Sequence, residues 1–228
     1  MNISAFVAAA AHDMKNSVCV IAAYLEDALA QMAQHSAAPP DQAATSTYQA
    51  LYETQRLNGN LVQLMAIYKL DEGMYPFQPD EVALDEFAED MLGRVRPLAQ
   101  IKGLQLQFTL DAEAESWFFD RDLMTSVVVQ SLFNSVRYSR STVQLSLRVC
   151  EGLLEVEVAD DGPGFPEFML EQGFPARQGI NVSTGSTGLG LFFSRLAANL
   201  HRRGDVTGST RLANGGPLAG GRFILTLP

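Results

Sequence analysis

Residues 134–138 (NSVRY) place an amide, a cation and a phenol at the end of a predicted helix. The amide oxygen of Asn134 is a neutral, hard ligand of the kind that Mg²⁺ takes beside phosphate oxygens and water. Arg137 lies one helical turn further along and can meet phosphate charge. The ring of Tyr138 can cover a purine base. These residue types in this order predict one wall of a nucleotide site.

Residues 160–164 (DDGPG) follow a predicted strand and suit the base of the same nucleotide. The Asp160 carboxylate can accept a hydrogen bond from the exocyclic amine of adenine. Gly162 and Gly164 have no side chain beyond Cα and let the backbone approach the ring.

Residues 185–191 (GSTGLGL) open another predicted helix and suit the phosphates. Gly188 and Gly190, on either side of Leu189, leave backbone N–H groups accessible. The positive end of the helix dipole adds to the attraction for phosphate.

Each segment alone also has a purely structural interpretation. An Asp-x-Gly-x-Gly run is often only a turn, Gly-x-Gly before a helix is often only packing, and Asn134 can belong to the polar face of a helix. The order and spacing of all three segments together favour the nucleotide site.

Residues 11–17 (AHDMKNS) form a separate reactive candidate near the start of the chain. His12 and Asn16 are four residues apart and share one face of a predicted helix, with Asp13 beside them. The carboxylate can take the ring proton and favour the reactive tautomer, so the imidazole is a competent nucleophile. Taken alone, this pattern is more often an ordinary surface histidine.

Residues 1–74 are predicted to form a domain of two helices. Residues 3–34 are Ala-rich and amphipathic, and a second helix is predicted to start at a cap formed by Ser46 or Thr47. A single helical hairpin cannot bury two apolar seams well, so a homodimeric four-helix bundle is predicted. The seams are Met14, Val18, Ile21, Leu25 and Met32, then Leu57, Leu61, Leu64 and Tyr68.

Residues 75–228 are predicted to form an α+β domain, with a mixed sheet covered on one face by helices. A helix opened by Asp80 or Asp85 begins the domain, and the long segment 162–187 has the character of a loop that closes over a ligand. The predicted helices are 82–97, 120–138 and 189–200, and the predicted strands are 104–110, 117–119, 142–149, 153–159 and 221–227.

The composition excludes several classes of protein. The net charge is −10 and no Lys/Arg run is present, so a nucleic-acid binder is not expected. No apolar run has the length of a membrane span, and the start lacks a signal-peptide pattern. Cys19 and Cys150 are predicted to be reduced core residues of a cytoplasmic protein. Nothing before Ile3 has room for a sensor, so the input is expected to come either from a separate sensory or regulatory partner or from sequence missing here.

Over almost its whole length the chain resembles the transmitter core of two-component sensor histidine kinases. In that family a phosphoacceptor and dimerisation hairpin precedes a GHKL (Bergerat-fold) ATP-binding domain. Residues 12–16 (HDMKN) resemble the phosphoacceptor box, residues 130–139 (QSLFNSVRYS) the Mg²⁺ box, and residues 158–165 and 185–191 the two glycine boxes. The resemblance implies that His12 accepts the γ-phosphoryl group of ATP and passes it to an aspartate of a response-regulator receiver domain.

The resemblance also implies roles for single residues. Asp13 would activate His12, and Asn16 matches the position that orients a water for dephosphorylating the regulator, so phosphatase activity is part of the expectation. In the ATP-binding domain it implies a Mg²⁺ ligand at Asn134, a phosphate contact at Arg137, an adenine neighbour at Tyr138, an adenine acceptor at Asp160, and loop-shaping glycines at Gly162, Gly164, Gly188 and Gly190.

One departure from the family pattern is Gln130, which stands where the Mg²⁺ box usually begins with Asn. It keeps an amide on a longer side chain and is retained as a metal-ligand candidate. Two rival interpretations remain open: a histidine phosphotransferase that does not use ATP, and a nucleotide-binding pseudo-kinase. The helix carrying His12 argues against a GHKL ATPase or a serine kinase.

Overall fold

The computed structural model describes residues 14, 18–19, 21–26, 28–29, 42–111, 115–171 and 189–228. The chain forms two compact units, Met1–Tyr75 and Pro76–Pro228.

The first unit contains helix α1, which spans Gln42–Asp71. The described residues before residue 30 are helical as well. Helix α1 begins four residues before Ser46, so the predicted cap at Ser46 or Thr47 is wrong. The stretch Gln-Ala-Ala at its start consists of strong helix formers, which explains the extension.

The second unit contains the mixed sheet. Its helices are α2 (Leu84–Ile101), α3 (Arg121–Tyr138), α4 (Glu167–Glu171) and α5 (Leu189–Leu200). Its strands are β1 (Asp80–Ala83), β2 (Gln105–Leu110), β3 (Ser116–Phe119), β4 (Thr142–Cys150), β5 (Leu153–Asp160), β6 (Arg202–Arg203), β7 (Val206–Thr207), β8 (Ser209–Asn214) and β9 (Gly221–Leu227). Five strands form one sheet in the order β2-β4-β5-β9-β8, with β2 parallel to β4 and the other pairs antiparallel. This architecture confirms the predicted α+β fold with a mixed sheet.

The inner face of this sheet packs against the helices. Leu145, Val158 and Phe223 stand side by side on β4, β5 and β9, and each is at most 4% exposed. Alternate residues of each strand point to the same face, which explains the apolar alternation seen in the sequence. The helices complete this core with Phe87, Met91, Leu132 and Phe193, all buried.

The outer face of the sheet carries charged side chains. Arg222 Nε and Nη2 donate to the two carboxylate oxygens of Glu157 at 2.8 and 2.7 Å. Arg148 pairs with Glu155 beside it. The outer face is therefore polar, whereas the inner face forms the core and carries the candidate site at its edge.

The first helix of this unit differs from the prediction at both ends. Residues 80–83 pair with β3, Val82 opposite Trp117, so helix α2 starts at Leu84 rather than residue 82. Neither Asp80 nor Asp85 caps it: the cap residue is Ala83, without a side-chain bond. Pro97 lies inside the helix instead of ending it, because burial of Ala99 in the core favours a further turn.

Four strands were not predicted: β1, β6, β7 and β8. β1 reads Asp-Glu-Val-Ala, a composition with low strand propensity, and it forms because β3 provides a pairing partner. β8 is the edge of the main sheet and is only partly buried, so its pattern is weak.

The two cysteines are free but exposed, so the prediction that they are core residues is wrong. Cys150 ends β4 beside the turn to β5, where the strand leaves the core. Among the described residues, no helix combines the length and the apolar character needed to cross a bilayer.

Candidate nucleotide site

Helix α3 carries the amide and the cation of the predicted site on one face. Gln130, Asn134 and Arg137 stand at positions i, i+4 and i+7, which share a face of a helix. Asn134 and Arg137 are exposed and Gln130 is half-buried. The helix start is fixed by Asp120, whose Oδ1 accepts from the backbone N–H of Leu123 at 3.0 Å.

The last residue of α3, Tyr138, presents its ring to the surroundings. It is 50% exposed, high for an aromatic side chain. The guanidinium of Arg137 lies 5.3 Å from the ring centroid, within cation–π range. The pair joins a cation to an open aromatic face at the helix end.

Asp160 ends β5 and is buried, with 6% exposure. Its Oδ1 accepts from the backbone N–H of Gly162 at 2.9 Å and of Gly221 at 3.2 Å. Its Oδ2 accepts from the hydroxyl of Ser135 at 3.0 Å. Since Ser135 follows Asn134 on α3, this bond brings the end of β5 to the polar end of that helix.

Gly162 is required by close packing. A Cβ built there would lie 2.6 Å from the carbonyl oxygen of Tyr138 and 2.8 Å from Asp160 Oδ1. Both distances are shorter than any real Cβ contact, so the turn after β5 passes against the end of α3 only because residue 162 has no side chain.

Gly164 is required by both conformation and packing. Its φ of +79° is in the left-handed region, and a Cβ would lie 2.8 Å from the side chain of Asn214. Asn214 Oδ1 accepts from Phe165 N at 2.7 Å and its Nδ2 donates to Phe165 O at 2.8 Å. The end of β8 thus clamps the start of the segment predicted to close over the ligand.

Asp161, next to Asp160, holds the turn that follows Tyr138. Its Oδ1 accepts from the N–H of Arg140 at 2.8 Å, and its Oδ2 accepts from Ser141 N at 2.9 Å and Ser141 Oγ at 2.6 Å. Burial alone would raise the pKa of Asp161, but these donors together lower it well below its usual range.

Lys102 holds the same helix end from another side. Its Nζ donates to the carbonyl oxygens of Val136 and Arg137, both at 2.8 Å. Both carbonyls lie in the last turn of the helix, so the ammonium complements the negative end of the helix dipole. Burial, and then the charge of Arg137, lowers the pKa of Lys102.

The structure brings several predicted site residues together: Asn134, Arg137 and Tyr138 on α3, with Asp160, Gly162 and Gly164 at and after the end of β5. Leu189 and Gly190 begin α5, which contacts α3. His12, Asp13, Asn16 and Gly188 lie outside the described residues.

Sequence reasoning missed the residues that support Asp160. The residue types mark Ser135 only as a neighbour of Asn134, and they do not indicate the roles of Asp161, Asn214, Lys102 and Gly221. Gly220 is the first glycine of the Gly-Gly pair that leads into β9, and a Cβ there would lie 2.3 Å from Asp160 O, so Gly220 is also required for close packing. That pair was the one available signal in the sequence.

Comparisons with known proteins show what the chain is similar to. The family described as histidine kinase-, DNA gyrase B-, and HSP90-like ATPase matches residues 119–228. The sensor protein SrrB of Staphylococcus aureus is 24% identical over 233 residues, which cover 98% of this chain and 37% of SrrB. The chain therefore spans just over a third of the length of the curated relatives it matches.

Two solved structures show a similar fold. The histidine kinase AdeS of Acinetobacter baumannii is 17% identical with a TM-score of 0.58, covering 95% of this chain and 96% of that one. Full-length ShkA in complex with AMPPNP is 16% identical with a TM-score of 0.63, covering 97% of this chain and 45% of that one.

Proposed function

We propose that the chain is an ATP-dependent protein-histidine kinase of two-component signalling. The support is the match of residues 119–228 to the histidine kinase-, DNA gyrase B-, and HSP90-like ATPase family and the 24% identity to the sensor protein SrrB. The proposed reaction moves the γ-phosphoryl group of ATP to His12 and then to an aspartate of a response-regulator receiver domain. The observation that best supports ATP binding is the Ser135–Asp160 hydrogen bond, which joins the polar end of α3 to the turn after β5.

The proposed adenine end of the site is Asp160, with Tyr138 as a neighbour of the base. A buried carboxylate with two oxygens has acceptor capacity beyond the donors Ser135, Gly162 and Gly221, and adenine's exocyclic amine is a matching donor. Gly162 and Gly164 keep the backbone beside it free of side chains.

The proposed phosphate end is the exposed face of α3. Arg137 offers a guanidinium to phosphate oxygens, and Leu189 with Gly190 lies at the start of α5. In-line transfer of a phosphoryl group depends mainly on positioning and on neutralising charge, which such a face can provide.

The candidate metal ligands on this face are of a type that Mg²⁺ accepts. Asn134 and Gln130 offer neutral amide oxygens, and in the described part of the chain no group of three His, Cys, Asp or Glu side chains could hold a metal. This suits an ion that takes most of its ligands from phosphate and water. When bound, Mg²⁺ neutralises phosphate charge.

The proposed phosphoryl acceptor is His12, with Asp13 as its activating carboxylate and Asn16 as the residue that orients water in a phosphatase reaction. The support is the sequence pattern, in which all three residues occur within five positions of a predicted helix.

A homodimer is proposed for residues 1–74, through a four-helix bundle, with 75–228 as the ATP-binding domain. On α1, Leu57 is 50% and Leu64 43% exposed. Met14 and Ile21 are about equally exposed, at 52% and 51%. Each pair is spaced by seven residues, so each forms an apolar stripe on one helix face that a second copy of the chain can cover.

The rival functions differ in nucleotide binding and in transfer. A phosphotransferase of the same architecture binds no ATP, and a pseudo-kinase binds ATP without labelling a histidine. Calorimetric titration with Mg-ATP distinguishes the kinase from the phosphotransferase, because only the kinase would bind. Acid-labile, base-stable label from γ-labelled ATP distinguishes the kinase from the pseudo-kinase, because only the kinase would carry it.

The titration compares wild type with two variants of β5, each of which replaces a carboxylate by an amide. Asp160→Asn puts an amide where the adenine amine needs an acceptor, and we expect at least about tenfold weaker binding. Glu155→Gln is the control, because Glu155 is on the opposite face of the same strand and pairs with Arg148. Equal binding by wild type and Asp160→Asn would contradict the proposed adenine contact.

A further inference from the structure

Ser135 is a buried serine whose hydroxyl is directed at the candidate base-binding carboxylate. It is 6% exposed, and its Oγ donates to Asp160 Oδ2 at 3.0 Å. Within the described residues, Ser135 is the one whose side chain donates a hydrogen bond to the Asp160 carboxylate. The other two donors are the backbone N–H groups of Gly162 and Gly221.

Other helical serines of the chain use their hydroxyls differently. Ser126, Ser131 and Ser194 each donate to the carbonyl oxygen four residues earlier, at 3.0, 3.0 and 2.8 Å. This is the usual local bond of a serine within a helix. Ser135 instead reaches across to a strand 25 residues away in the sequence.

The two carboxylate oxygens of Asp160 are therefore held unequally. In the part of the chain that the structure describes, Oδ1 accepts from two backbone donors, Gly162 and Gly221, and Oδ2 accepts from the Ser135 hydroxyl alone. Oδ2 has the greater remaining acceptor capacity. Ser135 donates its hydroxyl proton to the hydrogen bond with Asp160. The Ser135 oxygen and Asp160 Oδ2 can therefore act only as acceptors towards a bound base.

We infer that Ser135 is a positioning residue that determines base specificity, an inference that rests on the proposed ATP site. It holds Asp160 in the rotamer in which Oδ2 meets the 6-amino group of adenine. It also makes the contact surface acceptor-only, which repels the 6-carbonyl of hypoxanthine or guanine. Removing the hydroxyl takes away the hydrogen bond that holds Oδ2, while Oδ1 keeps its two backbone donors. The loss weakens binding of a 6-aminopurine more than binding of a purine that lacks the group.

The test measures dissociation constants of ATP and of purine riboside triphosphate, which lacks the 6-amino group, for wild type, Ser135→Ala and Ser131→Ala. Ser131 is the matched control: it is a buried serine one turn earlier on α3, and its hydroxyl donates to Val127 O within the same helix. We expect Ser135→Ala to weaken ATP binding about three- to tenfold while changing binding of the analogue less than twofold. Ser131→Ala keeps the wild-type ratio of the two constants, and Ser135→Thr, which retains the hydroxyl, restores it.

The outcomes separate this inference from the function on which it rests. Wild type that binds neither nucleotide refutes the ATP site itself. If wild type prefers ATP and Asp160→Asn loses that preference while Ser135→Ala keeps it, the role of Ser135 is overturned and the ATP site stands. An equal loss for both nucleotides in Ser135→Ala, with a lowered melting temperature, shows a merely structural serine and also overturns the inference.

Discussion

At the scale of single residues, two consecutive carboxylates have different environments. Asp160 ends β5 and turns inward, where it meets Ser135 and two backbone N–H groups. The Asp161 carboxylate instead accepts hydrogen bonds from the backbone N–H groups of Arg140 and Ser141, which follow α3. Asp161 is the first residue after the strand. Because their hydrogen-bond partners differ, one carboxylate is available to a ligand while the next fixes the surrounding loop.

Gly162→Ala tests how tightly the turn after β5 is packed. A methyl group there would lie 2.6 Å from the carbonyl oxygen of Tyr138, and that backbone cannot move without shifting α3. We expect the free energy of unfolding to fall by about 1–3 kcal/mol and ATP binding to weaken, measured by urea denaturation and calorimetry.

Gly93→Ala is the matched control for that substitution. Gly93 lies in α2, and a Cβ there would meet nothing within 4 Å. Alanine is the better helix former, so we expect a gain of about 0.5–1 kcal/mol and unchanged nucleotide binding. Gly162→Ala behaving like Gly93→Ala would show that the turn is not close-packed.

At the scale of elements, helix α3 is fixed at both ends by side chains from distant parts of the chain. At its start, His201 Nε2 accepts from Asp120 N at 3.0 Å, and Asp120 Oδ2 accepts from Gln78 N at 3.1 Å. At its end, Lys102 binds the carbonyls of Val136 and Arg137. A helix held in this way can present Asn134 and Arg137 in a defined direction.

His201 makes the stability of this arrangement depend on pH. Nε2 accepts a hydrogen bond from Asp120 N, so the proton of the neutral ring is on Nδ1, which donates to Ala197 O at 2.8 Å. Burial lowers the pKa of His201, although the Ala197 carbonyl and the Asp120 charge oppose it. As the pH falls below about 6.5, the unfolded chain takes up a proton that the folded chain resists, so stability is lost.

Urea denaturation between pH 8 and about 5.5, above the range where carboxylates titrate, measures this effect. We expect the free energy of unfolding of wild type to decline over that range, and His201→Gln, which cannot titrate, to decline less whatever its starting value. Parallel declines of the two proteins would show that His201 is not the group responsible.

The elements that the sequence predicted well are those with a strong local pattern. Helix α5 at Leu189–Leu200 and strand β9 at Gly221–Leu227 match the predicted bounds because each has a clear apolar periodicity. β1 and β8 were missed because they depend on pairing with distant strands. The same limit applies to the site: residue types pointed to Asp160 and Asn134, but the contacts of Ser135, Asn214 and Lys102 depend on the fold.

At the scale of the whole molecule, the exposed stripe of α1 bears on the oligomeric state. Leu57→Lys combined with Leu64→Lys places two charges on that stripe. We expect wild type to have twice the chain mass of 24.8 kDa in light scattering, and the double variant to have the single mass.

Val206→Lys serves as the control for charge added at an exposed apolar residue. Val206 is 44% exposed on β7 of the second unit, and this variant should keep the wild-type mass. A wild type with the mass of one chain would refute the proposed bundle.

The central claim is transfer of a phosphoryl group from ATP to a histidine, and incubation with γ-labelled ATP and Mg²⁺ tests it most directly. Wild type, His12→Ala and Asn134→Ala are compared, with Glu155→Gln as a control from the outer face of the sheet. We expect acid-labile, base-stable label on wild type and Glu155→Gln, none on His12→Ala, and at least about tenfold less on Asn134→Ala. Label of equal strength on His12→Ala, or wild type that binds ATP and stays unlabelled, would contradict the claim.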